Sequence, residues 1–483
     1  MKKSPLTLYN TLSRSIEPFE PLKDTNVGLY ACGVTVYDFV HLGHLRKYAM
    51  DDVLVRVLRN AGHAVNFVQN VTDVGHLASD ADTGEDKLEK GAKKYGKTVW
   101  DIAAEFEQYF WKSMDAMGNL RPDVSCRATD HIKQQLEMVL ELEKKGFTYV
   151  IPDDGVYFDT SKISDYGKLA HLKLEELREG ARLEANMGKR NPTDFALWKF
   201  ERPGENRAMV WESPWSERSF PGWHIECSAM AVAYLGEQFD IHTGGIDHIP
   251  VHHTNEIAQA ESATGKKPFV KYWVHHNFLR VEGEKMSKSL GNFYTIDDVI
   301  EKGFNPQALR LLFMTSHYRS ELNFTWDSLA GMQKRYDAVI QKIQKVLENV
   351  PADFDAESAE PQSNAVKKYT EEFLKHLNHD LGTPEAITVF WKVLKDADMS
   401  AEDVLHFVVL VENVLGLSFI SVAKVVADSN RDIPAEVREL LEERIIARKK
   451  SDWSASDRLR DELFVMGFIV EDLAEGAQSV KKR

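Results

Sequence analysis

Cysteine is scarce. Cys32, Cys126 and Cys227 are the only three in 483 residues, too few and too scattered for a disulfide framework, so the chain reads as a protein of a reducing compartment, with the cytoplasm expected. No charged stretch followed by an apolar one opens the sequence: Lys2 and Lys3 lead straight into Ser4 and Pro5, and a secretory signal is not expected. An unbroken apolar run of membrane length is missing too. The most apolar tract, Leu405 to Ala427, contains Glu412, Asn413 and Gly416. An acid in lipid is costly, so a pair of buried bundle helices is expected there, with no membrane association. Positive charge is in deficit: the net charge of −15 argues against a general affinity for polyanions and leaves only local basic clusters, Arg444 to Lys450 and Lys481 to Arg483. No fixed-period repeat is visible.

What is present suggests several domains, since 483 residues exceed what one hydrophobic core usually supports. Val27 to Cys32 reads as a buried strand. After Gly33 and Gly43, apolar residues at Leu45, Ala49, Val53 and Val57 give a helical period from His44 to Asn60, with Gly62 suited to stop it. Ala64 to Gln69 reads as the next strand, which completes the opening βαβ unit of a nucleotide-binding α/β domain. A helix is expected over Arg127 to Lys145, then a hairpin in which Tyr149-Val150-Ile151 and Val156-Tyr157-Phe158 flank Pro152-Asp153-Asp154-Gly155.

The expected architecture is α/β: a Rossmann-like parallel-sheet catalytic domain with an inserted connective domain, followed by a helical bundle and a small C-terminal domain. Its boundaries are read as 1–120 and 206–275 for the two catalytic halves, 121–205 for the insertion, 276–326 for a region with a lysine-rich loop, 327–426 for the bundle and 427–483 for the last domain.

Three constellations carry chemistry. His41-Leu42-Gly43-His44 stands where the first strand's loop enters the first helix. Imidazoles beside a helix N-terminus suit a polyphosphate, and Gly43 lets a nucleotide approach the backbone. Lys285-Met286-Ser287-Lys288-Ser289 places two lysines in one loop, able to clamp charge that develops in phosphoryl or nucleotidyl displacement. Cys32, Cys227, and His252 with Glu256 form a candidate metal set. His252 and Glu256, four apart on an expected helix, share a face, and His253 competes with His252 for the imidazole position.

These residues, together with Tyr30-Ala31-Cys32-Gly33-Val34-Thr35-Val36-Tyr37-Asp38, Gly222-Trp223-His224-Ile225-Glu226-Cys227-Ser228-Ala229-Met230 and His252-His253-Thr254-Asn255-Glu256, resemble the cysteinyl-tRNA synthetases, a family of class I aminoacyl-tRNA synthetases. The likeness runs from about Leu8 to Asp472. It implies ATP-dependent ligation of L-cysteine to tRNA(Cys) through a cysteinyl adenylate, with Mg2+ accompanying ATP and one Zn2+ per chain holding the substrate thiol.

Residue by residue, the resemblance implies zinc ligation by Cys32, Cys227, His252 and Glu256, which selects His252 over His253. It implies substrate contacts at Gly33, Thr35, Thr72, Trp223 and His242, ATP contacts at His41, Gly43, His44 and Lys288, and catalytic roles for His41, His44, Lys285 and Lys288. Arg448, Trp453, Asp457 and Asp472 match positions that read anticodon bases, a task for which arginine, aspartate and indole are chemically suited. A monomer is expected.

Three features depart from the family pattern. After Val71-Thr72-Asp73 the stretch from Val74 precedes Asp86-Lys87 where an acidic pair and lysine usually follow at once, Ser216 to Phe220 replaces the commoner glycine- and arginine-containing approach to Pro221-Gly222-Trp223, and a terminal tryptophan is missing. A ligase that attaches cysteine to an amino-sugar thiol precursor would share every motif up to Lys288, but should lack the C-terminal region.

Overall fold

The computed structural model describes residues 5–74, 86–171, 188–287, 290–351, 354–356, 363–431, 434–450, 452–472 and 478–482. Two compact units emerge. The first comprises Met1–Asp298, Ser316–Asn323 and Lys375–Thr383, and the second comprises Val299–Thr315, Phe324–Leu374 and Pro384–Arg483.

The first unit is built on a parallel sheet. Its strands are β1 (Asn26–Thr35), β2 (Ala64–Thr72), β3 (Val124–Arg127), β4 (Phe239–Gly245) and β5 (Val270–His276). They lie in the order β5-β4-β1-β2-β3, every neighbouring pair parallel. Strands buried on both faces tend to be nearly continuous in apolar residues, as β1 is from Val27 to Val34, whereas β2 carries buried Gln69 and Asn70 among its apolar residues. Helix α1 (Leu42–Ala61) crosses from β1 to β2 and ends at Gly62, whose φ of 101° is the left-handed turn a glycine cap takes. The strand order reverses between β1 and β4, so a crevice opens there at the carboxyl ends of the strands, the usual ligand position in open α/β sheets.

Strand β3 lies past the expected start of the insertion at residue 121. It pairs from Val68↔Val124 to Val71↔Arg127, so the sheet's first half extends to Arg127. Four residues are too short a run for their pattern to stand out against the helix at Ile132–Lys144 that follows. The expected hairpin is present as Thr148–Ile151 with Gly155–Phe158. It belongs to a five-stranded antiparallel sheet completed by Phe195–Phe200, Ser216–Pro221 and Trp211–Ser213. Trp198, Phe158 and Leu197 from that sheet pack with Leu142 and Val139 of the helix and with Ile225 and Ala258. Helices α2 (Trp223–Leu235) and α3 (His252–Thr264) follow.

The second unit is largely helical. Trp326–Asn349 packs against Ala401–Leu415 and Phe419–Arg431. The apolar tract around Glu412 is a bent pair of helices at 119°, and among the described residues no single helix is long and apolar enough to cross a membrane. Toward the C-terminus, Ala435–Lys449, Trp453–Val465 and the antiparallel pair Phe468–Asp472 with Gln478–Lys482 enclose a small core of Val437, Leu463, Phe468 and Val470.

Candidate active site

Cys32 reaches the crevice because β1 is irregular there. The register with β2 shifts between Ala31 and Val34, which turns the intervening side chains as a bulge does. Gly33 is demanded at this point: a Cβ on it would lie 1.5 Å from the Asn70 carbonyl oxygen, and its N–H donates to Asn70 Oδ1 at 2.8 Å. Asn70 also donates to Thr72 Oγ1 at 3.0 Å, and Thr72 faces Thr35 across the strands. Gly33, Thr35 and Thr72 thus come together at the ends of two strands.

Helices α2 and α3 bring the other candidates. Trp223 and Cys227 lie one turn apart on α2, and His252 and Glu256 one turn apart on α3. His252 Nε2 is 2.9 Å from Glu256 Oε1, and its ring lies 4.4 Å from that of Trp223. Ligand atoms of Cys32, His252, His253 and Glu256 all fall within 4.8 Å of one another, while Cys227 lies beside Cys32 and His252 but outside that close group. All five residues are buried.

His253 is committed on both nitrogens. Nε2 is 3.3 Å from Cys32 Sγ, and Nδ1 is 2.8 Å from His275 Nε2, whose own Nδ1 is 2.8 Å from Thr11 Oγ1. Its ring fits because Gly244 has no side chain, since a Cβ there would lie 2.4 Å from His253 Cε1. His242, with no exposed surface, holds Glu256 Oε2 at 3.1 Å and stacks on Trp273 at 4.7 Å. His224 Nδ1 approaches His252 Nδ1 at 2.9 Å.

Burial raises the Cys32 thiol above its usual range, and the Cys227 thiol is raised by its bond to Cys32 and by burial. Burial would push Glu256 upward, but His242 and His252 beside it bring its carboxyl below the usual range. Burial would lower His252, but Glu256 and Cys227 raise it. Glu256 and His252 therefore form a buried ion pair between two thiols. A divalent cation can take over the role of the His252 proton, with release of protons from the thiols.

The phosphate candidates stand at the start of α1. His41 caps the helix: its Nδ1 accepts from the N–H of Gly43 at 3.1 Å and of His44 at 3.4 Å, while His44 Nδ1 accepts from the His41 N–H at 3.3 Å. The rings stack at 3.7 Å. With Nδ1 accepting in both, the neutral tautomer carries its proton on Nε2, so each ring presents a donor. Lys285 is exposed in the short strand Glu284–Lys285, and Lys288 lies outside the described residues.

Comparison with known proteins fits this geometry. Residues 18–334 match the family described as tRNA synthetases class I (C) catalytic domain, and residues 430–479 match the cysteinyl-tRNA ligase anticodon binding domain. The cysteine–tRNA ligase of Treponema denticola is 41% identical over 97% of this chain and 98% of its own length. Cysteine–tRNA ligase 1 of Burkholderia lata is 44% identical over 98% of this chain and 96% of its own. The chain belongs to the cysteine–tRNA ligase family. It therefore belongs to an enzyme family of class I aminoacyl-tRNA synthetases. Among solved structures, Mycobacterium tuberculosis methionyl-tRNA synthetase in complex with methionyl-adenylate shares the fold, with a TM-score of 0.57 at 15% identity over 82% of this chain and 93% of that one.

In the segment matching the ligase anticodon domain, the Arg448 guanidinium lies 5.9 Å from the centre of the Trp453 ring, and Trp453 is 59% exposed. Asp457 pairs with Arg460 at 3.0 Å. Asp472 ends the strand Phe468–Asp472, its side chain outside what is described. Residues near the candidate metal set that sequence reasoning missed include His275, His276 and Lys47. The only sequence signal for the first two is a pair of histidines at the end of an apolar strand.

Proposed function

We propose that the chain activates L-cysteine with Mg2+-bound ATP and transfers it to tRNA(Cys), with the substrate thiol held at a zinc ion. The observation that supports this reading is the clustering of buried Cys32, His252, His253 and Glu256, with Cys227 beside Cys32 and His252, at the crevice of a parallel sheet whose first helix is capped by paired histidines. Two thiols, an imidazole and a carboxylate suit zinc in number and softness. Zinc, when bound, supplies a soft Lewis acid that accepts the substrate thiolate far better than a serine hydroxyl.

The protein's own groups carry the rest. Gly33, Thr35, Thr72, Trp223 and His242 line and order the amino-acid pocket. The cysteine carboxylate attacks the α-phosphate of ATP, forming an acyl phosphate bond as pyrophosphate leaves. His41 and His44 donate from Nε2 to phosphoryl oxygens over Gly43. Lys285 and Lys288 meet the charge that grows on the leaving group. A ribose hydroxyl at the tRNA terminus then attacks the adenylate carbonyl and expels AMP. Arg448, Trp453, Asp457 and Asp472 read the anticodon. Loss of one ligand bond can reject serine by on the order of 10⁴, so no editing site is needed. The reaction serves protein synthesis in the cytoplasm, and a single chain contains the residues it needs.

The test is cysteine-dependent exchange of pyrophosphate into ATP, followed by charging of tRNA(Cys). Both are expected. Absence of cysteine-dependent exchange in zinc-loaded protein overturns the reading.

A further inference from the structure

A buried charged network joins the two halves of the active site and takes no part in the assignments above. Lys47 lies on α1, three residues after His44, on the same helix face. Its side chain, 12% exposed, reaches Asp51 Oδ2 at 2.8 Å, one turn further along. It also donates to the carbonyl oxygen of Cys32 at 2.7 Å. Asp51, 1% exposed, is held from its other oxygen by His276 Nε2 at 2.8 Å, at the end of β5. Burial would raise the Asp51 carboxyl, but Lys47 and His276 bring it below its usual range. The Lys47 nitrogen also stands 4.7 Å from the centre of the Tyr48 ring.

Placing an ammonium in so enclosed a position costs desolvation free energy, which the Asp51 ion pair and the hydrogen bond to Cys32 offset. The position is informative. On one side the ammonium touches the backbone of Cys32, a residue of the thiol-binding set, and on the other it lies one turn from the histidine-capped start of α1. An ammonium has three N–H donors. The Cys32 carbonyl accepts one, and Asp51 Oδ2 stands 2.8 Å away as an ion-pair partner.

The geometry points to Lys47 as the residue that binds the carboxylate of the amino-acid substrate. The inference deepens the activation reading and rests on it. An amino acid with its sulfur at the Cys32 set and its carboxylate directed at a phosphate near His41 and His44 must carry that carboxylate across the space Lys47 occupies. An N–H that does not serve Cys32 then makes a charge-assisted hydrogen bond to a carboxylate oxygen in a partly desolvated site, where such bonds are strong. Asp51 and His276 fix the ammonium in place, so it is positioned before substrate arrives. The carboxylate's other oxygen remains to attack phosphorus.

Cysteamine, which keeps the thiol and amine of cysteine but lacks the carboxylate, separates this role from a structural one. Calorimetric binding of cysteine and of cysteamine to zinc-loaded full-length protein is compared for the parent and Lys47→Met. Lys47→Gln/Asp51→Asn, which leaves no unpaired buried charge, serves where Lys47→Met does not fold. Zinc content is measured alongside. The expected result is cysteine affinity reduced by about 10-fold or more in the variants, cysteamine affinity within about 2-fold of the parent, and zinc content unchanged. Equal losses for both ligands, or loss of zinc, overturn the assignment in favour of a role in shaping the Cys32 backbone. Unchanged cysteine affinity also overturns it. Parent protein that binds neither thiol overturns the activation reading, and this inference with it.

Discussion

His242 Nε2 lies 3.1 Å from Glu256 Oε2, and neither side chain has any exposed surface. The carboxylate is thus gripped on one oxygen by a residue of β4 and on the other by His252 of its own helix, 2.9 Å away. Histidines and carboxylates in this relation orient metal ligands, and removing such a partner typically costs about 10- to 100-fold in metal affinity. His242→Leu, which keeps the packing on Trp273, is therefore expected to lower zinc affinity by that factor. Chelator competition measures it, and an unchanged affinity would show that Glu256 needs no help from β4.

A partly buried acid of the second unit, Glu412, gives a pH signature. Glu412 accepts a hydrogen bond from the Ile420 N–H across the bend between its two helices, and burial pushes its carboxyl up from 4.5 to about 7. A folded state that holds a proton more tightly than the unfolded chain is most stable below about pH 4.5. It loses stability as pH rises to about 7. The loss attributable to this group is on the order of 3 kcal/mol. Glu412→Gln keeps an acceptor for Ile420 and removes the titration, so it should stabilise the protein at pH 8 and not at pH 4. Denaturant titrations of parent and variant at both pH values give the difference, and equal effects at the two would place the proton elsewhere.

Trp453 supplies a test of the C-terminal segment. An indole left 59% exposed beside a guanidinium contributes little to folding and suits stacking on an unpaired base, worth about 1–3 kcal/mol. Trp453→Ala is expected to raise the KM for tRNA(Cys) accordingly while cysteine-dependent pyrophosphate exchange stays at the parental rate. A normal KM for tRNA would remove Trp453 from the anticodon readers.

Much of this was legible in the sequence because it is local. The strand, helix and strand from Val27 to Gln69, the helix stop at Gly62 and the hairpin around Pro152-Asp153-Asp154-Gly155 all follow from periodicity and turn chemistry, and each is present within a few residues. His252 and Glu256 on one helix face were legible for the same reason. What sequence could not provide is contact between distant segments. His253 bonds both Cys32 and His275, and Asp51 bonds His276. Asp380 accepts from the Tyr9 N–H, Tyr318 and Arg319. None of these pairings leaves a periodic trace. The bulge that aims Cys32 was hidden as well, because Gly33 reads equally as a loop glycine until Asn70 is seen beside it.

The central claim, that a metal held by Cys32, Cys227, His252 and Glu256 binds the substrate's sulfur, is open to direct view in cobalt-substituted protein. Cobalt(II) in a zinc site reports thiolate ligands as sulfur-to-metal charge-transfer absorption, and a thiolate ligand is bound as the anion. Titration with cysteine should increase that absorption to saturation at one equivalent per chain, and serine should leave the spectrum unchanged. A spectrum that does not respond to saturating cysteine, in protein that nevertheless activates it, would contradict the account.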